Sequence, residues 1–177
     1  MIALIGASAS GKTEIAKILA SKYGISKVVT TTTRPMRIGE VDGRDYFFVS
    51  QEEFNKRIND GRFVEYINYN NNFYGSQKDQ IADDKCLVVE PHGLNKYRLL
   101  KDNHIVIFHL LASEKTRFNR MLLRGDSKEN AESRIIKDRI EFADEKIGKC
   151  DYTIDTENLS INDIADYIYS HYKKHLG

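Results

Sequence analysis

The sequence predicts a three-layer α/β domain around a parallel sheet, and three observations carry that reading. Short apolar runs alternate repeatedly with apolar residues at helical spacing, the signature of strands joined by crossover helices. The first run passes straight through a glycine-rich segment into the first helix. The 177 residues suit one α/β domain, which buries about two thirds of its extended-chain surface in a single core.

The elements follow in order. Residues 1–5 are apolar and read as a buried strand; residues 13–23 place Ile15, Ile18, Leu19 and Tyr23 on one helical face, with Gly24 closing the helix. Further strands are expected at 86–89, 104–111 and 151–155, with helices starting after Pro91, Ser113 and Ser160. Ser160 and Asp163 form a capping pair. Between the first helix and Cys86 the texture turns polar and rich in Asn and Tyr, with short alternating runs such as 46–49, which predicts an inserted subdomain of small antiparallel strands. Ser50 and Glu53 form a capping box ahead of Phe54 and Ile58, so one helix belongs to that insertion. Residues 124–149 are highly charged, with few long apolar runs and glycines near both ends, and read as a segment able to open and close over a site.

Composition excludes several classes. With 27 Lys and Arg against 26 Asp and Glu, the net charge of +1 provides no global field for nucleic acid, so any anion site is local. The cysteines Cys86 and Cys150 are far apart and read as reduced; the histidines show no metal-ligand spacing. The apolar start lacks a basic leader and is far shorter than the roughly 20 residues a membrane span needs, so a soluble, cytoplasmic protein without membrane partners is expected.

Gly6, Ala7, Ser8, Ala9, Ser10, Gly11, Lys12 and Thr13 fit G-x-x-x-x-G-K-[ST] between a strand and a helix, the context this phosphate-binding motif requires. The glycines let main-chain N–H groups wrap a polyphosphate, and the helix N-terminus adds partial positive charge. Lys12 is then expected to reach the β- and γ-oxygens of ATP or GTP, and Thr13 to ligate Mg²⁺.

Residues 32–49, TTRPMRIGEVDGRDYFFV, resemble the guanylate kinase signature T-[ST]-R-x-x-[KR]-x-x-[DE]-x-x-G-x-x-Y-x-[FY] at every defining position. An Arg-Pro-x-Arg stretch alone reads as a solvated turn; beside the P-loop it does not. Two arginines and a tyrosine hydroxyl can converge on one phosphate dianion through charge-assisted, bidentate bonds, so Arg34, Arg37 and Tyr46 become a GMP phosphate clamp, with Glu40 in the same element. The segments around Glu65 and around Tyr74 and Ser76 resemble the family's base-reading parts, and Thr30 joins them. Guanine presents adjacent donors at N1 and its amine that one Glu accepts together; adenine would leave Glu65 unpaired.

Arg120, Arg124 and Gly125, with Ser133 and Arg134, resemble the family's lid elements, which makes Arg124 and Arg134 catalytic candidates beside Lys12; Arg139 lies nearby. Cations that arrive on closure stabilise the charge of phosphoryl transfer and exclude water. The chain departs from the family at Val88, where an aspartate is common, leaving Glu90 as the nearby acid, and at Thr156 and Glu14. The resemblance implies a P-loop NTPase fold with a GMP-binding insertion at 34–80, core segments 1–33, 81–123 and 150–177, and a helical lid at 124–149. It further implies ATP and GMP (or dGMP) as substrates, Mg²⁺ as cofactor, and a monomer or homodimer. Two rivals are a kinase of another small phosphate, such as a ribose bisphosphate, and a non-catalytic phosphopeptide-binding module. Glu40, Gly43, Tyr46 and Glu65 argue against the first, and intact Lys12 and Thr13 against the second.

Overall fold

The computed structural model describes residues 1–177. β1 (Ile2–Ile5) leads through the glycine-rich loop into α1 (Lys12–Tyr23) and on to β2 (Ser26–Lys27). β3 (Thr31–Thr32), β4 (Phe47–Phe48), α2 (Gln51–Asn59), β5 (Phe63–Tyr69) and β6 (Asn72–Gln77) precede β7 (Lys85–Val88). Next come α3 (Pro91–Arg98), β8 (Val106–Leu111), α4 (Glu114–Leu123), α5 (Lys128–Glu141) and α6 (Asp144–Ile147). β9 (Tyr152–Asp155) and α7 (Ile161–Leu176) follow.

The main sheet has the order β2-β7-β1-β8-β9 and every pairing in it is parallel. Period-two alternation assigns its two faces. Ile2 and Leu4 pack with Ile15 and Leu19 of α1 and Ile164 and Ile168 of α7, while Ala3 and Ile5 pack with Leu94 of α3 and Ile147 of α6. All four β1 side chains are fully buried, and each large one contributes roughly 1.5–3 kcal/mol. The three expected layers are therefore present.

Serines at the starts of α2, α4, α5 and α7 each accept the N–H three residues on, a cap worth about 1 kcal/mol apiece. Three of these were legible in the sequence; Ser127 of α5 is the addition.

The second sheet has the order β4-β3-β6-β5. Its hairpin turns at Asn70 and Asn71, with φ of 49° and 59°, the left-handed pair that a two-residue hairpin demands. Phe54 of α2 seals one face, its ring centroid 4.4 Å from Phe63 and 5.3 Å from Phe73. Two features differ from the sequence expectation. β3 pairs antiparallel with β6 but parallel with β4, because the chain loops out after Thr32 and re-enters in the same direction. Thr31 and Thr32, assigned to the core segment by the sequence, pair within this small sheet, where Gln77 Nε2 donates to Thr31 Oγ1 at 2.9 Å.

The charged segment 124–149 was expected to have little to anchor it. Instead Ala131 and Ile135 of α5 pack on Met121 of α4, with Phe118 and Ala9 of the glycine-rich loop alongside. The apolar residues are sparse in sequence but fall at helical spacing on one face, so they escape detection as a run.

Candidate functional site

The glycine-rich loop lies at the carboxyl end of the central strand, where open parallel sheets bind their ligands. Gly6 is required by close approach: a Cβ there would sit 2.5 Å from the Leu110 carbonyl oxygen. Gly11, at the N-cap of α1, holds φ at 102°, a left-handed value that turns the backbone into the helix. Lys12 Nζ donates back to the carbonyl oxygens of Gly6 and, at 2.9 Å, Ala7. Burial lowers the Lys12 pKa to about 8, against the opposing pull of Asp138 and Glu90.

Two clefts flank this loop, and a third adjoins one of them. One of about 370 Å³ runs from Lys12 and Thr13 toward Arg120, Arg124 and Ile161. Another, of about 600 Å³, lies among Ser8, Lys12, Glu90, Arg134 and Asp138. The third, about 300 Å³, is lined by Thr30, Glu65, Tyr74, Ser76, Glu90 and Tyr97, among others. The last two share Val88, Val89 and Glu90 as a common wall, so a ligand can extend from Glu65 to Lys12.

Ser76 Oγ donates to Glu65 Oε1 at 2.8 Å, which preorients a carboxylate in that third cleft. Glu40 acts as a strut: it accepts from Arg34 Nη2 at 2.6 Å and from the Arg37 N–H at 2.7 Å. Arg34, followed by the Arg37 N–H, holds the Glu40 carboxyl below its ordinary range. The Arg34 guanidinium lies 5.4 Å from the Tyr46 ring centroid, and Tyr46 meets Tyr74 edge-on at 6.1 Å. Arg34, Tyr46 and Tyr74 are thus grouped, whereas Arg37 is exposed.

Arg124 and Arg134 are not brought together. Arg124 lines the cleft beside Thr13 and donates to Asp126 at 2.7 Å, while Arg134 faces the wall bearing Glu90. Arg139 makes a bidentate pair with Glu114, both bonds 2.7 Å, and so braces α4 against α5.

Two buried charges escaped the sequence reading. Asp138 of α5 accepts from the Ser8 N–H at 2.9 Å, from Ser8 Oγ at 3.2 Å and from Arg117 Nη1 of α4 at 2.7 Å. A carboxylate of α5 therefore caps the first half of the loop. The signal was available: Asp138 follows Ala131 and Ile135 on the buried stripe of α5, and Arg117 precedes Met121 on that of α4. Opposite charges on two apolar faces point to a buried pair.

Thr156, the departure from the family's usual Asn, is almost fully buried. Its hydroxyl lies 2.9 Å from the Leu111 carbonyl oxygen, 3.2 Å from that of Ser10 and 3.1 Å from Arg120 Nη1. It ties the loop to the sheet's edge. Glu14 is exposed and pairs with Lys17.

A family profile described as guanylate kinase matches residues 1–174. The chain belongs to the guanylate kinase family. It is 32% identical over 167 residues to a guanylate kinase of Symbiobacterium thermophilum, covering 90% of this chain and 79% of that protein. A guanylate kinase of Helicobacter pylori is 34% identical over 167 residues, covering 90% and 80%. The solved guanylate kinase of Anaplasma phagocytophilum superposes with a TM-score of 0.58 at 26% identity, over 98% of this chain and 84% of that one. The chain is accordingly a nucleotide-binding transferase with guanylate kinase activity, and no helix is long and apolar enough to cross a membrane.

Proposed function

We propose that this enzyme transfers the γ-phosphoryl group of Mg²⁺·ATP to the phosphate of GMP or dGMP, yielding ADP and GDP or dGDP by direct in-line displacement. The observation that carries the reading is the continuous path from Glu65 and Ser76, along Val88 to Glu90, to Lys12. The base occupies the Glu65 end, and its phosphate lies between the Arg34 and Tyr46 group and the loop. ATP phosphates lie on the main-chain N–H groups of residues 6–13 and on Lys12, its nucleoside directed toward Arg120 and Arg124. The β–γ phosphoanhydride bond breaks as an oxygen of the GMP phosphate bonds the γ-phosphorus. The transition-state charge spreads over equatorial oxygens, where Lys12 and Arg134 meet it.

The residues suit Mg²⁺ as it is held in phosphoryl-transfer sites. Thr13 is exposed on the first turn of α1, Glu90 lines the neighbouring cleft together with Lys12, and no cluster of three acids or histidines forms a dedicated cage. Such a set binds the ion with substrate phosphates and water. When bound, Mg²⁺ neutralises charge on the β- and γ-oxygens. Residues 124–149 serve as the lid that brings Arg134 to the phosphates.

An ADP-release assay over GMP, dGMP, AMP, UMP and ribose phosphates tests this. GMP should exceed AMP by at least about 100-fold in kcat/KM, because AMP leaves Glu65 unpaired. Equal turnover of AMP, or turnover of a ribose phosphate alone, would overturn it.

A further inference from the structure

Tyr97 of α3 is almost wholly buried, and its hydroxyl oxygen has no hydrogen-bond partner. Its ring packs with Val28 and Leu87, while its hydroxyl end lies beside Ser76 and Glu65 in the cleft those residues line. Orphaned buried hydroxyls are rare because desolvation is not offset by a bond. This one stands next to a Ser–Glu pair whose own hydrogen bond is already formed: the single Ser76 hydrogen is committed to Glu65 Oε1 at 2.8 Å. The lone pairs of Ser76 Oγ remain available.

We propose that Tyr97 is a positioning residue for the purine, donating its hydroxyl hydrogen to Ser76 Oγ when a base engages Glu65. This rests on the reading of the third cleft as the GMP base site. Guanine places two donors against the Glu65 carboxylate and, next to them, a carbonyl acceptor at O6. Glu65 then no longer needs the Ser76 hydrogen, which turns to O6. A hydroxyl that donates is a better acceptor, since successive hydrogen bonds polarise one another. Tyr97 supplies the hydrogen that completes the chain Tyr97, Ser76, O6. Burial raises the Tyr97 pKa to about 12, so the hydroxyl stays a donor at neutral pH. In the free enzyme the Tyr97 hydroxyl stands beside Ser76 without a bond, so a bond that forms as Ser76 turns to O6 puts its benefit into GMP affinity rather than into folding.

Tyr97→Phe keeps the ring and removes one oxygen, so it isolates the effect. Calorimetry with GMP should show a Kd raised about three- to tenfold, the size of one lost hydrogen bond. The GMP KM should rise in parallel while kcat and the ATP KM hold. The unliganded melting temperature should match or exceed wild type, and the GMP-induced increase in it should shrink. In a Ser76→Ala background, Tyr97→Phe should have no further effect on GMP binding, because Tyr97 acts through Ser76. Three results would each overturn the inference: a GMP Kd within twofold of wild type, an equal loss in the Ser76→Ala background, or a parallel rise in the ATP KM. A wild-type protein that binds no GMP would instead overturn the function on which it rests.

Discussion

Replacing Asp138 with Asn removes the charge that joins α5 to the glycine-rich loop. In the native protein its carboxylate serves the Ser8 N–H at 2.9 Å and Arg117 Nη1 at 2.7 Å, with both side chains under a tenth exposed. The amide retains one acceptor oxygen. It can keep Ser8, but it turns an N–H donor toward a guanidinium that already has an unpaired Nε. Leaving a buried charge without its partner costs about 3–5 kcal/mol. At roughly 3 °C per kcal/mol for a chain of this size, the melting temperature should fall by about 10 °C. Arg117→Met in the same protein should recover most of that loss, since an apolar side chain of similar length fills the site without a charge. Thermal denaturation of wild type, both single variants and the double variant is the assay. A fall below about 3 °C for Asp138→Asn, or a double variant no more stable than that single one, would refute the buried-pair argument.

Glu65→Gln puts a donor where guanine needs acceptors and should cost roughly 2–4 kcal/mol, about 30- to 1000-fold in kcat/KM for GMP, with ATP affinity unchanged. Steady-state kinetics at wild-type efficiency would contradict it. The Lys12 pKa of about 8, against its ordinary 10.5, makes kcat/KM for ATP decline above about pH 8, as the free enzyme loses the proton that pairs with phosphate. kcat at saturating ATP should hold to higher pH. A flat kcat/KM up to about pH 9.5 would refute this. The same shift fixes a sign for stability. Between about 8 and 10.5 the unfolded chain holds the proton and the folded one does not, so the Lys12 contribution to stability rises with pH across that window. ATP and GMP together should slow hydrogen exchange in residues 124–149, and an unchanged profile would argue against closure.

Much of the fold was legible because its signals are local. The β1 strand, the glycine-rich loop and α1 each follow from spacing over a few residues, and the capping serines mark helix starts to within a position. The parallel pairing of β3 with β4 was not legible: two-residue strands separated by a long excursion carry no directional pattern, and register comes from tertiary packing. The candidate site divides the same way. Glu65, Ser76 and Lys12 were named from motifs and Glu90 as the acid left where Val88 departs from the family, and all four line the two joined clefts. Asp138, Arg117 and Tyr97 act through partners on other elements, so each looks by itself like an ordinary helical residue.

The glycine-rich loop begins where β1 ends, and the wall of Val88, Val89 and Glu90 begins where β7 ends. These strands are hydrogen-bonded parallel neighbours in fixed register, Leu4 opposite Val88. Their separation is the backbone repeat of a sheet, about 4.8 Å. The loop and that wall therefore keep their spacing through main-chain pairing, the least mutable ruler a protein possesses. Side-chain changes in the small sheet or in residues 124–149 can reshape the clefts on either side, while the spacing of loop and wall is inherited from the amide ladder beneath them.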